Sequence, residues 1–370
     1  MTPARRRRRA GAVYATPGLF AIALGFAGLS GAWRVASGPG QAFSSVADVI
    51  AVISAIVFLS VLLPWLAQLV RRQDSLITQL RDPAAGPSVP VAAFTAMLLS
   101  ATLIPISGDI GRTLVAIFAV LTLVLCLAVV AGWVLGRLPR RDYNPGFYLA
   151  TVGGAMLTAQ SITLLGWAGP AQALFALGLA AWVVLGIITG VRLVRGPKLP
   201  PLLGTTLVLE LAAPALAGNT YLIVFRAYDS VAIALALATL LMAAAQLAVI
   251  PAYRRAWFHL GFWSFAFSYA TACTLALRWT EHEQPAGALV WQWLTLGFLT
   301  ALVLVLTVRS VIALRHGEFL PHRLTAGEPE PATGDPAEGA HDAGPLRSKA
   351  IPVQSFTMPG GSDDAHPPAG

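Results

Sequence analysis

Nine long runs almost free of Asp, Glu, Lys and Arg decide what this chain can fold into. They cover residues 10–33, 49–70, 83–108, 113–136, 143–191, 199–225, 230–253, 256–277 and 284–308, and only Glu210 interrupts one deeply. The hydrocarbon core of a bilayer is about 30 Å thick, and roughly 20 helical residues cross it. Most of the runs have that length. The run 143–191 is too long for one helix, and Gly166-Trp167-Ala168-Gly169-Pro170 supplies a turn that divides it. The chain therefore reads as ten spans. Leu, Val, Ile and Ala follow one another without strict alternation, which favours helices over barrel strands.

Composition agrees. Of 370 residues, 56% are hydrophobic and 11% charged, against about 25% charged in soluble domains. That excludes a disordered chain and argues against a soluble enzyme. The formal charge of +8 would fit nucleic acid or a membrane surface, so its location matters. Sixteen basic residues, beginning with Arg5–Arg9, fall before span 1 and after spans 2, 4, 6 and 8, against four on the other side. The positive-inside rule then puts both termini in the cytoplasm of a multi-pass plasma-membrane protein. The excess charge reports orientation, and no nucleic-acid partner is expected. Residues 1–12 read as a basic cytoplasmic N-terminus and 13–315 as the membrane domain. Residues 316–370, with nine Pro and eight Gly, read as a disordered cytoplasmic tail. Cys126 and Cys273 both lie inside apolar runs, which gives neither a disulfide framework nor a metal site. No cofactor is expected.

Odd and even spans differ in kind. Span 1 carries Pro17, Gly18, Gly25 and Gly28; span 3 carries Pro87, Pro90 and Pro105; span 5 opens on Asn144-Pro145-Gly146; span 7 carries Pro200, Pro201, Gly204, Pro214 and Gly218. The even spans are mostly smooth, Pro64 excepted. Pro and Gly free backbone groups that lipid cannot satisfy. Irregular helices therefore belong against protein or a watery cavity, and smooth ones against lipid. The expected fold is all-α: ten transmembrane helices as five hairpins, odd helices inside and even helices outside.

Polar faces on the odd spans fit that arrangement. Ser264, Phe267, Ser268, Thr271 and Thr274 share one helical face, as do Thr151, Gly154, Thr158 and Ser161, and Thr206, Glu210, Pro214 and Ala217. Two readings are open: polar glue between helices, or the lining of a path. As a lining, Thr151, Thr158, Ser161, Thr206, Glu210, Pro214, Ser264, Ser268 and Thr271 make an almost uncharged pore. Hydroxyls and helix N-termini suit an anion, whereas a cation path would show rings of Asp or Glu. Arg34, Arg226 and Arg278 end odd spans on the outer side. They either gather anions at the mouth or pair with Asp229, Glu281 or Glu283. Glu210 is either a proton carrier or a hydrogen-bonded structural group. No cluster of catalytic or metal-binding residues and no phosphate-binding loop stands out, so the chain does not read as an enzyme.

Several segments resemble the tellurite-resistance/dicarboxylate transporter (TDT) family, which has TehA-like members and includes the plant slow-type anion channels. They are Thr16-Pro17-Gly18-Leu19-Phe20-Ala21-Ile22-Ala23-Leu24-Gly25 with Ala32-Trp33, then Asn144-Pro145-Gly146-Phe147-Tyr148-Leu149 and Ala212-Ala213-Pro214-Ala215. Gly261-Phe262-Trp263-Ser264-Phe265-Ala266-Phe267 and Leu314-Arg315-His316-Gly317-Glu318-Phe319 complete the set. In order, they cover residues 13–320. The resemblance implies five hairpins around a central pore, a homotrimer, and a phenylalanine gate on span 9. By the W-[SA]-[FY]-x-F pattern that gate is Phe267. Phe267 also lies at the centre of its run and on its hydroxyl face. Glu210, the loop at residues 81–87, the Arg5–Arg9 run and the tail depart from the family pattern. The expected function is an anion channel or transporter for small inorganic or organic anions. The alternative is a proton-coupled carrier of C4-dicarboxylates or of oxyanions such as tellurite or sulfite, using Glu210.

Overall fold

The computed structural model describes residues 15–38, 44–71, 75–82, 85–135, 145–195 and 204–316. The chain divides into two units, 1–323 and 324–370, and all described residues lie in the first. The basic N-terminus 1–12 and the tail beyond His316 lie outside the described residues.

Ten apolar helices follow one another. They are α1 (Phe20–Ala36), α2 (Ser44–Val70), α3 (Val89–Ala101), α4 (Gly108–Val134), α5 (Gly154–Thr163), α6 (Ala168–Arg195), α7 (Leu209–Phe225), α8 (Ser230–Arg255), α9 (Trp263–Glu283) and α10 (Ala288–His316). A short helix, Leu76–Arg81, lies between α2 and α3. No strand occurs among the described residues. Eight helical stretches are long and apolar enough to cross a membrane: α1, α2, α4 and α6–α10, some with their lead-in turns. The other two are short. Helix α3 gives way to turns at Thr102, just before Pro105, whose ring disfavours helix at Ile104. Helix α5 ends before Gly166, whose φ of 80° turns the chain into α6.

The contrast between odd and even helices is structural as well as compositional. Each odd helix begins with a short turn that is not α-helical: Pro17–Leu19, Gly86–Ser88, Leu149–Gly153, Thr205–Val208 and Leu260–Phe262. Four are 3-10 turns, and the third, Leu149–Gly153, is a π turn. Pro17, Gly18, Pro87, Pro90, Pro145, Gly146 and Gly204 lie in or beside these lead-ins, whereas Gly25, Gly28, Pro214 and Gly218 lie inside α1 and α7. The former supply tight turns where a regular helix would leave amides unpaired.

Burial follows the same division. Ten of 13 residues in α3, eight of ten in α5 and 13 of 17 in α7 are buried. The even helices bury a single stripe: Ala47, Ala51, Ser54, Phe58, Val61, Trp65 and Gln68 on α2, or Leu296, Leu299, Val303, Leu306 and Ser310 on α10. That spacing of three and four residues is one helix face. The opposite faces expose large aliphatic side chains such as Ile56, Leu63, Leu127, Leu177, Leu240, Leu247 and Leu304. Such surfaces suit lipid and not water.

Each odd helix packs on the even helix that follows it. The odd helices also pack in a closed cycle, α1 on α3, α3 on α5, α5 on α7, α7 on α9 and α9 back on α1. Polar groups tie the layers together. Ser30 donates to Ala47 O at 2.8 Å and Ser54 to Ala23 O at 2.7 Å, joining α1 and α2. Trp33 Nε1 donates to Thr300 at 3.2 Å, and Trp263 Nε1 to Ser310 at 2.8 Å, holding α10 against α1 and α9. Interhelical bonds of this kind are worth about 0.6 kcal/mol each on average.

Asp229 closes the α7–α8 connection. Its carboxylate accepts from the amides of Val231 at 3.0 Å and Ala232 at 3.2 Å, capping α8, and from the Tyr221 hydroxyl at 2.6 Å. The Tyr221 bond, then these amides, hold the carboxyl below the ordinary aspartate range. A depressed carboxyl contributes stability that is complete above its unfolded pKa of about 3.9 and is lost as pH falls through the lower folded value. The melting temperature in detergent should therefore decline from about pH 4 downward. Asp229→Asn, which can still cap a helix, should flatten that part of the decline. An identical acid profile in the variant would show that Asp229 has no part in it.

A candidate pore and its plug

Helix α9 is clamped on both sides by close helix crossings. A Cβ on Gly28 of α1 would sit 2.7 Å from Ala270 Cβ, and one on Gly25 would sit 2.7 Å from Ala266 Cβ. On the other flank, a Cβ on Gly218 of α7 would meet Leu275 Cδ2 at 2.8 Å. Small residues let helix backbones approach closely where there is no water to drive association. Trp263, fully buried and bonded to Ser310, fixes the start of α9. Phe267 lies between the two alanines that face α1, and only 5% of it is exposed.

Phe267 borders a cavity of about 150 Å3 to which all five odd helices contribute. Gly28 and Gly31 come from α1, Leu98 from α3, Leu157 and Gln160 from α5, and Leu216 and Asn219 from α7. Helix α9 supplies Phe267, Ala270, Thr271, Thr274 and Arg278. Phe267, Thr271, Thr274 and Arg278 recur at i, i+4, i+7 and i+11, so one α9 face runs along the cavity for roughly 16 Å.

Of the residues singled out from the sequence, Gly28, Phe267, Thr271, Thr274 and Arg278 line this cavity. Thr271 donates to the Ser268 carbonyl at 2.8 Å. Ser268 is fully buried and its hydroxyl has no partner. Thr158 and Ser161 are buried on α5, Thr158 donating to Gly154 O at 2.6 Å, and Pro214 is buried inside α7. Thr151, half-buried in the π turn, donates to Phe147 O at 2.9 Å. Thr206 lies half-buried in the lead-in to α7. Ser264, in the first turn of α9, donates to Gly261 O at 2.6 Å and to Thr205 O at 3.2 Å. Glu210 is half-buried in the first turn of α7. Its carboxylate accepts from Tyr148 Oη at 3.1 Å, next to the π turn that leads into α5.

The three outer arginines separate. Arg34 pairs with Asp48 at 2.6 Å. Arg226 ends α7 in the left-handed conformation, with φ 53°, and is exposed. Arg278 reaches the cavity and donates through Nε to Asn219 Oδ1 at 3.2 Å. Of the acidic residues suggested as pairing partners, Asp229 is engaged by Tyr221 and the α8 amides. Neither Glu281 nor Glu283 forms an ion pair with Arg278 among the described residues.

Asn219 and Gln160 were not anticipated from sequence. Asn219 is buried and donates to Ala215 O at 2.9 Å and Thr271 O at 2.8 Å, bridging α7 to α9 beside the cavity. Gln160 donates to Thr220 at 2.8 Å, bridging α5 to α7. The available signal was an amide side chain in the middle of an apolar span, where each polar atom must find a partner.

A family model described as voltage-dependent anion channel matches residues 14–312. The chain is similar to the tellurite resistance protein TehA homolog of Haemophilus influenzae, with 23% identity over 304 residues, covering 82% of this chain and 92% of that protein. It is also similar to the guard cell S-type anion channel SLAC1 of Arabidopsis thaliana, with 27% identity over 194 residues. That match covers 50% of this chain and 34% of the plant protein.

Proposed function

The chain belongs to the voltage-dependent anion channel family and is a multi-pass membrane anion channel or transporter; from that premise we propose that it conducts small anions through a central pore closed by Phe267. In this reading all ten helices span the bilayer as five hairpins, with odd helices inside. Both termini are cytoplasmic in the plasma membrane, and three copies assemble. The observation that carries the pore is the cavity shared by the five odd helices, with Phe267 at its edge. The closed packing cycle of those helices supports it. The hydroxyl of Thr274 and the guanidinium of Arg278 give the path donors for an anion.

The test is flux of chloride, nitrate, sulfite, tellurite and malate in proteoliposomes, for the wild type and Phe267→Ala. If neither protein passes any of them, the transport reading falls.

Proton-coupled transport through Glu210 is the competing mechanism. Its carboxylate is engaged by Tyr148 at the α5 lead-in and does not border the cavity. That favours a structural bond over a proton carrier on the path. Glu210→Gln should therefore keep the pH profile of anion flux, with the maximal rate changed less than about tenfold, the range of one lost hydrogen bond. A profile that becomes flat in the variant would reverse this assignment and make the protein a proton-coupled carrier.

A further inference from the structure

Arg278 is a half-buried cation that forms no ion pair among the described residues; Tyr228 and Glu281 act on it electrostatically without one. Its Nε is held by Asn219, and its two Nη groups have neither a hydrogen bond nor an ion pair among the described residues. Asn219 is itself fixed by two bonds, to Ala215 O and Thr271 O, so the guanidinium is oriented by a rigid partner. Tyr228 Oη donates to the Arg278 carbonyl at 3.4 Å and acts on the guanidinium electrostatically, but forms no hydrogen bond with it. Glu281, one turn further on, is exposed and forms no ion pair with it. A charge partly withdrawn from water and left without a bonded ionic partner is unfavourable. Here the unsatisfied donors lie on a cavity to which all five odd helices contribute, beside Thr271, Thr274 and Gln160.

We infer that this cavity is a binding site for one small monovalent anion, held by the Nη groups of Arg278 on the side of Phe267 away from the lead-in turns. The inference deepens the channel reading and rests on it. About 150 Å3 holds an ion of halide or nitrate size with a few waters. Charge sets the valence. One guanidinium neutralises one negative charge, and a dianion such as sulfate or malate would leave a net charge in a cavity whose lining holds no second ionisable group. Docked there, the ion is stripped of part of its hydration and waits beside the plug, so occupancy precedes each passage.

Binding can be read apart from transport by chloride-35 NMR line broadening on the full chain in detergent. The wild type should show saturable broadening that nitrate displaces and that equimolar sulfate does not. Arg278→Gln should weaken it by about tenfold or more, the scale of one charge-assisted hydrogen bond. Gly31→Asp is a second variant. A side chain at Gly31 meets nothing within 4 Å, and Gly31 borders the same cavity. Its carboxylate should take the place of the ion and abolish the broadening. Absence of saturable broadening in the wild type, its persistence in both variants, or displacement by sulfate as effective as by nitrate would each overturn the site. Chloride binding that depends on Arg278, without any flux through Phe267→Ala, would instead leave the site standing and remove the channel reading.

Discussion

Phe267→Ala should raise chloride and nitrate current by about ten- to a hundredfold over the wild type, measured in planar bilayers or in oocytes at matched surface expression. The magnitude follows from the barrier. A ring that fills a narrow apolar passage excludes water and ion alike, and removing about 1.4–2.8 kcal/mol of that barrier is about one to two decades in rate. The same substitution separates a plug from a core residue. As part of a sealed core, Phe267 truncated to alanine would leave a closed void and cost about 3–5 kcal/mol of stability. Beside an existing cavity of about 150 Å3 the new space joins the old, and the loss of stability should be smaller. The expected pair of results is high current with a melting temperature close to that of the wild type. A folded Phe267→Ala protein with wild-type current would remove the gate from Phe267. Phe267→Leu, which keeps much of the volume, should fall between the two.

Much of this architecture is written in the sequence because the bilayer allows so few solutions. Charge-free runs mark where helices form, and all ten helices lie within or across the runs. Some of the prolines and glycines of the odd spans, Pro17, Gly18, Pro87 and Gly204 among them, coincide with the lead-in turns, because a backbone that leaves the α-helix must be sheltered by other protein. Lengths were less legible. Residues 83–108 form one unbroken apolar run, yet α3 occupies only Val89–Ala101. Where a helix stops depends on turns at Gly86 and Thr102 that hydropathy does not register. Side-chain partnerships were less legible still. The bond from Tyr148 to Glu210 joins residues 62 positions apart, and that from Arg278 to Asn219 joins residues 59 apart. A helical face identifies which residues share a direction, not what stands opposite. Arg34, Arg226 and Arg278 have equal standing as outer cations in the sequence, and only their neighbours separate them: an aspartate for Arg34, an exposed left-handed cap for Arg226, a cavity for Arg278.

The crossing of α1 and α9 carries the second large expectation. Gly28→Leu should abolish recovery of folded protein, because the side chain would have to occupy the space of Ala270 at the crossing. Gly28→Ala is the measurable case. Its Cβ would lie 2.7 Å from Ala270 Cβ, closer than two carbons can approach, and neither atom can rotate away. Relief requires the helices to separate, and overpacking of this kind costs about 1–3 kcal/mol. Ala270 is one turn from Phe267 on the same helix, so the shift also moves Phe267, and Gly28→Ala should change current as well as stability if Phe267 closes the path. Ala270→Gly in the same chain restores the clearance from the other side. The double variant must still bear the helix penalty of a glycine, about 1 kcal/mol, so the informative quantity is the coupling in a double-mutant cycle and not the recovered melting temperature. A coupling energy of about 1 kcal/mol or more in favour of the pair is expected for groups in direct contact. Additive effects would mean that α1 and α9 do not meet at Gly28 and Ala270, and the position of Phe267 between its flanking helices would lose its structural basis.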